Sequence, residues 1–186
     1  MIGGILLFLS ASATPAAAPA NCSLTSEAKI ANARLSFDEF DQKGTTATTA
    51  RSLGEHGCWK AAAEATADYL IRGPIPSQGQ QLILLFHLGQ QLALGGEERR
   101  GADFIAATRR PPKPDDPPDQ LRWNDYVIGT WAFLMKDRPM LIAARDAVLA
   151  GKSDGDRING NILAAMERCF DKPYIVAYDP KCGAPK

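Results

Sequence analysis

Apolar residues recur every three or four positions along most of this chain, with polar residues filling the intervals. This period places an apolar stripe along an α-helix, whereas a half-buried strand alternates apolar and polar positions. No stretch alternates convincingly, so the pattern predicts an all-α fold. Capping and helix-breaking residues divide the pattern into helices that begin near the following residues: Ser26, Thr46, Trp59, Ser77, Glu97, Leu121, Asp137 and Ser153.

The helix that begins at Ser77 is apolar almost all round rather than along one stripe. Seven of the eleven residues from 82 to 92 are Leu, Ile or Phe. A helix with apolar residues on every face is stable only when neighbouring elements cover each of those faces. The pattern therefore predicts that this helix is central and buried.

Small residues recur at a nearly constant spacing in these helices. Ala50, Gly89 and Gly129 lie in three separate helices, at intervals of 39 and 40 residues. Intervals of this length are typical of stacked helix pairs, in which each pair buries its apolar face only against a neighbour. The second helix of each pair repeats the pattern twelve positions later, with Ala62, Gly101 and Leu141.

The third pair carries the clearest likeness to a known family. The segment from Asp125 to Asp137, with the amphipathic helix after it, resembles a tetratricopeptide repeat, and the resemblance covers about residues 45 to 150. In that family a small residue in each helix allows close approach, and here Leu141 stands where alanine is usual. The resemblance implies a short right-handed superhelix of about three helical hairpins with N- and C-terminal capping helices, in one domain over residues 21–186.

The same resemblance implies a binding surface. In such superhelices the first helices of the pairs line a concave face, and a mixed polar and aromatic face of this kind suits an extended peptide or a helix of a partner protein. The candidate ligand-binding residues are those near the small positions of the first helices: Arg51, Glu55, Phe86, Gln90, Tyr126 and Thr130.

Both the N-terminal segment and the cysteines point to export. Residues 1–20 combine a short apolar run with Ala, Ser and Pro, which is typical of a cleaved secretory signal, and a disordered Ala/Pro tail is the alternative. In an exported chain four cysteines predict two disulfides, and four buried free thiols are the alternative. Of the three pairings we favour Cys22–Cys58 and Cys169–Cys182, because Cys169 and Cys182 are close in sequence and Cys22 can tie the mature N-terminus to the first pair.

Charge and composition narrow the class of partner. The chain has 21 Lys and Arg residues and 21 Asp and Glu residues, with no long block of one sign, which disfavours nucleic acid and anionic membrane as partners. The proline-rich segment 111–119 predicts an extended surface loop. The segment from Cys169 to Tyr174, with Tyr178 and Cys182, also resembles the tails of small exported bacterial proteins of unassigned activity.

Two features suggest catalysis or metal binding, and a simpler interpretation is favoured for both. Residues 151–155 match the Gly-x-Ser-x-Gly pattern of serine hydrolases, but the pattern needs a preceding strand and a later histidine, and both histidines, His56 and His87, come earlier. Neither histidine has the spacing of a metal motif. We therefore expect Ser153 or Asp154 to begin a helix, and we predict no catalytic residue, metal site or cofactor.

The sequence as a whole predicts a non-catalytic, periplasmic or secreted module that binds a protein or peptide in the cell envelope. One alternative is a small all-α hydrolase with an unrecognised active site, and another is a structural accessory subunit of an envelope complex. A closed pocket that holds His56 or His87 beside two carboxylates favours the hydrolase, whereas a shallow open groove favours the binding module.

Overall fold

The computed structural model describes residues 22–110 and 121–184, and these residues form helices without any β-strand. The all-α prediction is therefore confirmed for this part of the chain. The predicted signal at 1–20 and the proline-rich segment 111–119 lie outside the described residues. Over these ranges the helices are α1 (Ser26–Asn32), a π-helical turn (Asp38–Lys43), α2 (Ala50–Glu55), α3 (Trp59–Arg72), α4 (Gln78–Leu94), α5 (Glu98–Ala106), α6 (Trp123–Leu134), α7 (Arg138–Leu149), α8 (Asp154–Arg168) and α9 (Tyr174–Ala177).

Helices α2–α3, α4–α5 and α6–α7 form three pairs that are closed by the same type of turn. In each turn a backbone N–H donates to the carbonyl oxygen five positions earlier, which satisfies a carbonyl that the end of the helix would otherwise leave unpaired. The three bonds are Cys58 to Leu53 (2.9 Å), Glu97 to Leu92 (2.8 Å) and Asp137 to Ala132 (2.8 Å). These positions recur at the intervals of 39 and 40 residues found for the small residues.

The residue before each of these N–H groups has a positive φ angle. Gly57 and Gly96 have φ of 73° and 92°, which glycine adopts without steric cost, but the third pair has Lys136 with φ of 60°. A left-handed lysine costs about 1–2 kcal/mol. Its ammonium group donates to the Phe170 carbonyl oxygen at 3.0 Å and lies 4.2 Å from the centroid of the Phe133 ring, so these contacts offset the cost.

Helix α4 contributes to every hydrophobic cluster of the described structure. Leu84 is buried with residues of α2 and α3, Phe86 with residues of α5 to α9, and Leu88 and Leu92 with a small cluster against α3 and α5. Helices α3, α5 and α9 all contact α4. The prediction that this helix is central and buried is confirmed.

Two glycines allow α4 and α5 to approach closely. A Cβ atom on Gly89 would lie 2.7 Å from Cγ1 of Ile105 and 2.8 Å from the carbonyl oxygen of Gly101. In the third pair a Cβ on Gly129 would instead meet Leu163 of α8, at 2.7 Å, and Ala144 of α7, at 3.2 Å. The expected counterpart of Gly129, Leu141, is therefore corrected to Leu163 and Ala144.

The N-terminal segment differs from the single first helix that the apolar spacing suggests. Helix α1 ends at Asn32, and the chain then forms the π-helical turn, which carries Phe40 into the core. The Phe40 ring stacks on Tyr69 of α3 at a centroid distance of 4.0 Å, and the Tyr69 hydroxyl donates to the Leu35 carbonyl oxygen at 2.9 Å. This turn is fixed by tertiary packing rather than by local spacing.

Two disulfides fasten the ends of the described chain. Cys22 pairs with Cys58 at the start of α3, and Cys169 pairs with Cys182 beyond α9. The favoured pairing is confirmed. Disulfides persist in oxidising compartments, so they indicate an environment outside the cytoplasm. No helix in the described ranges is both long enough and apolar enough to cross a membrane.

Helix α8 begins as predicted, with Ser153 as its cap. The Ser153 hydroxyl accepts from the Asp156 N–H at 3.0 Å and donates to the Asp156 carboxylate at 2.8 Å. The same carboxylate accepts from the N–H of Arg122, the cap of α6, at 2.7 Å. Burial acts to raise the pKa of Asp156, but these hydrogen bonds outweigh it and hold the pKa below its ordinary value.

We expect Gly89→Ala to lower the free energy of unfolding by about 1–3 kcal/mol, because the added methyl group overpacks the contact between α4 and α5. The matched control is Gly79→Ala in the same helix, where no atom lies within 4 Å of the added Cβ. The control is expected to be stabilised by up to about 1 kcal/mol through helix propensity. Urea denaturation measures both values, and a Gly89→Ala variant as stable as the control contradicts the close approach.

We expect Asp156→Asn to lower the free energy of unfolding by about 1–2 kcal/mol at pH 7, because it removes the charged acceptor of the cap. A carboxyl whose pKa is lowered by folding stabilises the protein above its unfolded pKa, and this stabilisation is lost as the pH falls through the folded pKa. The difference between wild type and variant therefore shrinks towards about pH 3. Urea denaturation at pH 7 and at about pH 3 measures this difference, and Asp154→Asn, at an exposed position, is the control. A difference that does not change with pH contradicts the capping role of the Asp156 carboxylate.

Candidate functional site

An open cleft of about 230 Å³ lies between α2 and α4. Side chains of α2 form one side, side chains of α4 form the other, and Trp59, the first residue of α3, lies between them. The π-helical turn and the C-terminal segment contribute the remaining walls. The lining residues are Asp41, Ala50, Arg51, Gly54, Glu55, Trp59, His87, Gln90, Gln91, Leu94 and Tyr178.

An ion pair lies on the α2 side of the cleft. Arg51 Nε donates to Glu55 Oε1 at 2.8 Å, one helical turn apart, and each side chain is a little more than half exposed. Such exposed pairs contribute only about 0.3–0.5 kcal/mol to stability. Their geometry can therefore adjust to a ligand at little cost to the fold.

A histidine and a buried carboxylate form a second pair at the α4 side. Nδ1 of His87 lies 2.8 Å from Oδ1 and 3.0 Å from Oδ2 of Asp41, which is only 3 % exposed. The side-chain amide of Gln42 also donates to this carboxylate, at 2.5 Å. The carboxylate accepts hydrogen bonds, so it holds the proton of the imidazole on Nδ1 and leaves Nε2 as the second polar end of the ring.

Three tyrosine hydroxyls surround the side-chain amide of Gln90. Nε2 of Gln90 lies 3.3 Å from the hydroxyls of Tyr174 and Tyr178 and 3.5 Å from that of Tyr126. The pKa values of Tyr126 and Tyr174 are raised well above the ordinary value of tyrosine. The main cause is burial, and the neighbouring phenol groups are the second cause. Both of these hydroxyls therefore stay protonated and neutral.

Gln91, the next residue of α4, is held by a hydrogen bond from α3. The hydroxyl of Thr66 in α3 donates to Oε1 of Gln91 at 2.7 Å, and both side chains are buried. Trp59, which also lines the cleft, packs against α2 so closely that a Cβ on Gly54 would lie 3.0 Å from Cζ3 of the indole. The α3 and α4 sides of the cleft are therefore held by buried contacts, whereas the Arg51–Glu55 pair on the α2 side can adjust.

Of the six candidate ligand-binding residues, the structure brings three together. Arg51, Glu55 and Gln90 line the cleft, although they come from two different helix pairs. Their role as ligand contacts stays a prediction.

The other three candidates are corrected to core residues. Phe86, Tyr126 and Thr130 are 2 %, 4 % and 0 % exposed, so none of them faces a partner in this structure. Phe86 packs among aromatic rings, with centroids 5.1 Å from Trp123 and 5.3 Å from Tyr126. The Thr130 hydroxyl donates to the Tyr126 carbonyl oxygen at 2.9 Å.

The C-terminal segment contributes to the burial of Tyr126, because Tyr174 and Tyr178 lie beside its phenol group. Helix α9 packs on α4 and places Tyr174, which is fully buried, and Tyr178 over the part of α4 near Tyr126. The N–H of Tyr174 donates to Oε1 of Glu98 in α5 at 2.6 Å. The Cys169–Cys182 disulfide closes the loop that carries α9. The segment therefore covers Tyr126, one of the residues that the repeat resemblance assigns to a binding surface.

The sequence analysis missed four residues of the site: Asp41, Trp59, Gln91 and Tyr178. It considered His87 only as a metal ligand or as part of a hydrolase pocket. Asp41 and His87 are 46 positions apart, and no spacing signal joins them. The polar pair Gln90–Gln91 within the mostly apolar stretch 82–94 is the one signal that points to this location.

The candidate hydrolase motif and the candidate metal residues do not form a site in the described ranges. Ser153 caps α8, and no three His, Cys, Asp or Glu side chains within residues 22–110 and 121–184 group closely enough to hold a metal ion. Comparisons of the chain with protein-family models, with curated proteins and with solved structures give no match. The cleft geometry is therefore the basis for assigning a function.

Proposed function

We propose that this protein is a non-catalytic interaction module of an extracytoplasmic compartment, and that it binds a segment of a partner protein in the cleft between α2 and α4. One observation carries the proposal: Arg51 and Glu55 of the first pair and Gln90 of the second pair line the same open cleft. Residues of successive helices that share one groove are the usual basis of peptide recognition by helical repeat proteins.

The size of the cleft limits what it holds. Sites for small molecules enclose about 300–1,000 Å³, and this cleft, at about 230 Å³, is smaller. It has room for one anchoring side chain, while the rest of the partner lies on the surface around it. This arrangement matches the way interfaces concentrate binding energy in a few desolvated anchors.

Further properties of the chain support the remaining parts of the proposal. The identical turns at intervals of 39 and 40 residues support a superhelix of the tetratricopeptide type. The two disulfides support export, with residues 1–20 as the signal and the periplasm or the exterior as the location. The balanced charge supports a protein or peptide as the partner, in place of nucleic acid or a membrane surface.

We expect the double variant Arg51→Ala/Glu55→Ala to lose capture of the partner by about tenfold or more, since it removes the polar rim of the cleft. The measurement is photo-crosslinking and affinity capture with the tagged full chain in its own host. Removing both members leaves no unpaired charge, so the melting temperature is expected to stay within about 3 °C of wild type.

The matched control is Arg99→Ala/Asp103→Ala, which removes another exposed ion pair one helical turn apart, on α5. This control is expected to capture the same partner as wild type does. Equal capture by the cleft variant and the control means that the cleft is not the binding site, and the proposed function then fails.

A second candidate function, a small hydrolase, rests on one specific observation. His87 lies in the cleft with Asp41 on its Nδ1 and with Glu55 on the opposite side, so one histidine and two carboxylates share a pocket. A histidine oriented by a buried carboxylate is the arrangement that a general base needs. In this function His87 Nε2 takes a proton from water as the water oxygen attacks an ester carbonyl carbon. The imidazolium then returns that proton to the leaving alkoxide oxygen as the acyl C–O bond breaks, which releases the alcohol and the carboxylic acid.

Hydrolysis of p-nitrophenyl acetate by the full chain tests this candidate. If His87 is a general base, His87→Gln lowers the rate by about 10²-fold or more. His56→Gln, which alters the other histidine of the chain, leaves the rate unchanged and corrects for the intrinsic reactivity of imidazole. Equal rates for wild type and His87→Gln rule out the hydrolase and favour the binding module.

A further inference from the structure

Three side chains of the cleft share one property: each has two polar ends, and the fold holds one of them. The carbonyl oxygen of Gln91 accepts from Thr66 at 2.7 Å. The amide nitrogen of Gln90 faces the tyrosine hydroxyls, with Tyr178 at 3.3 Å. Nδ1 of His87 is bound to Asp41, as described above. In each case one end is committed and the side chain is fixed in orientation.

The other polar end of each of these side chains is therefore the group that is available to a ligand. Gln91 offers its amide N–H donors, Gln90 offers its carbonyl oxygen, and His87 offers Nε2, which accepts when the ring is neutral. All three side chains line the cleft, and they lie within five residues of one helix. A ligand group that fits them carries both a donor and an acceptor.

The charged side chains of the cleft already have partners within the protein. Arg51 is bound to Glu55, and Asp41 is bound to His87, at 2.8 Å in both cases. A carboxylate that enters the cleft lies near the buried carboxylate of Asp41 and offers no donor to the carbonyl oxygen of Gln90. An ammonium group offers no acceptor to the amide N–H groups of Gln91, which then stay unpaired. The site therefore discriminates against charged ligands of either sign.

We propose that the cleft recognises an uncharged side-chain carboxamide, that of a Gln or Asn residue of the partner protein. The carboxamide carries one acceptor and two donors, which match the amide N–H of Gln91 and the acceptors on Gln90 and His87. Its methylene stem suits Trp59 and Leu94, which also line the cleft. This inference rests on the proposed function, because it specifies the anchor residue of the partner.

Three peptides of matched size test the inference on the unaltered protein: acetyl-Gly-Gln-Gly-amide, acetyl-Gly-Glu-Gly-amide and acetyl-Gly-Met-Gly-amide. We expect the Gln peptide to bind about tenfold more tightly than the other two, because each of them leaves polar groups of the site unpaired or adds a charge. NMR titration measures the affinities through the side-chain amides of Gln90 and Gln91. The affinity of the Gln peptide is expected to be the same at low and high salt, since no net charge is buried.

Tighter binding of the Glu or Met peptide, equal binding of all three, or no shift of the Gln91 amide at about 20 mM peptide overturns the carboxamide proposal. These outcomes leave the proposed function standing if Arg51→Ala/Glu55→Ala still abolishes capture of the partner. If capture is unaffected by that double variant, the proposed function fails instead. The two failures are thus distinguished by different measurements.

The variant Gln91→Glu tests the donor directly. It keeps an oxygen for the Thr66 hydroxyl and replaces the ligand-facing donor with an acceptor, so the Gln peptide is expected to bind about tenfold more weakly. Gln81→Glu, an exposed position of the same helix, is the matched control and is expected to bind as wild type does. The peptide comparison on the unaltered protein remains decisive if Gln91→Glu does not fold.

Discussion

Helix α4 is apolar on nearly every face, and the need to cover all of those faces organises the rest of the structure. Burying its side chains removes a large apolar area from water, the dominant favourable term in folding. Helix α3 covers one face, and α5 covers another at the close approach of Gly89 and Gly101. These two helices leave part of α4 uncovered, and α9 packs on α4 from the C-terminal end of the chain.

The cleft lies at the part of α4 that α3, α5 and α9 leave uncovered. Tyr174 and Tyr178 lie over the part of α4 that faces α6, while the part that faces α2 stays open. A four-residue helix has little intrinsic stability, because too few backbone bonds form to repay its nucleation. The Cys169–Cys182 disulfide and the buried Tyr174 ring hold it in place instead. The C-terminal segment thus covers one part of α4 and leaves the part that lines the cleft open.

Features of the fold that depend on local sequence were predictable, and those that depend on distant segments were not. The helices, the cap at Ser153 and the glycine turns arise from short-range spacing, and the cysteine pairing followed from an even count and one short separation. The burial of Tyr126 depends on a segment about fifty residues later, and the pairing of His87 with Asp41 depends on a π-helical turn that periodicity does not reveal. Half of the candidate ligand-binding residues are therefore core residues, because the resemblance carried no information about the C-terminal segment.

The glutamines at 90 and 91 show how a site arises from the requirements of folding. Successive residues of a helix point about 100° apart, so two adjacent glutamines in a central helix face different neighbours. Gln91 faces Thr66 of α3 and Gln90 faces the tyrosines of the C-terminal segment. An amide buried without partners is costly, and each of these side chains is satisfied at one end by a different element. Because both side chains line the cleft between α2 and α4, the hydrogen-bonding capacity that remains faces a single space.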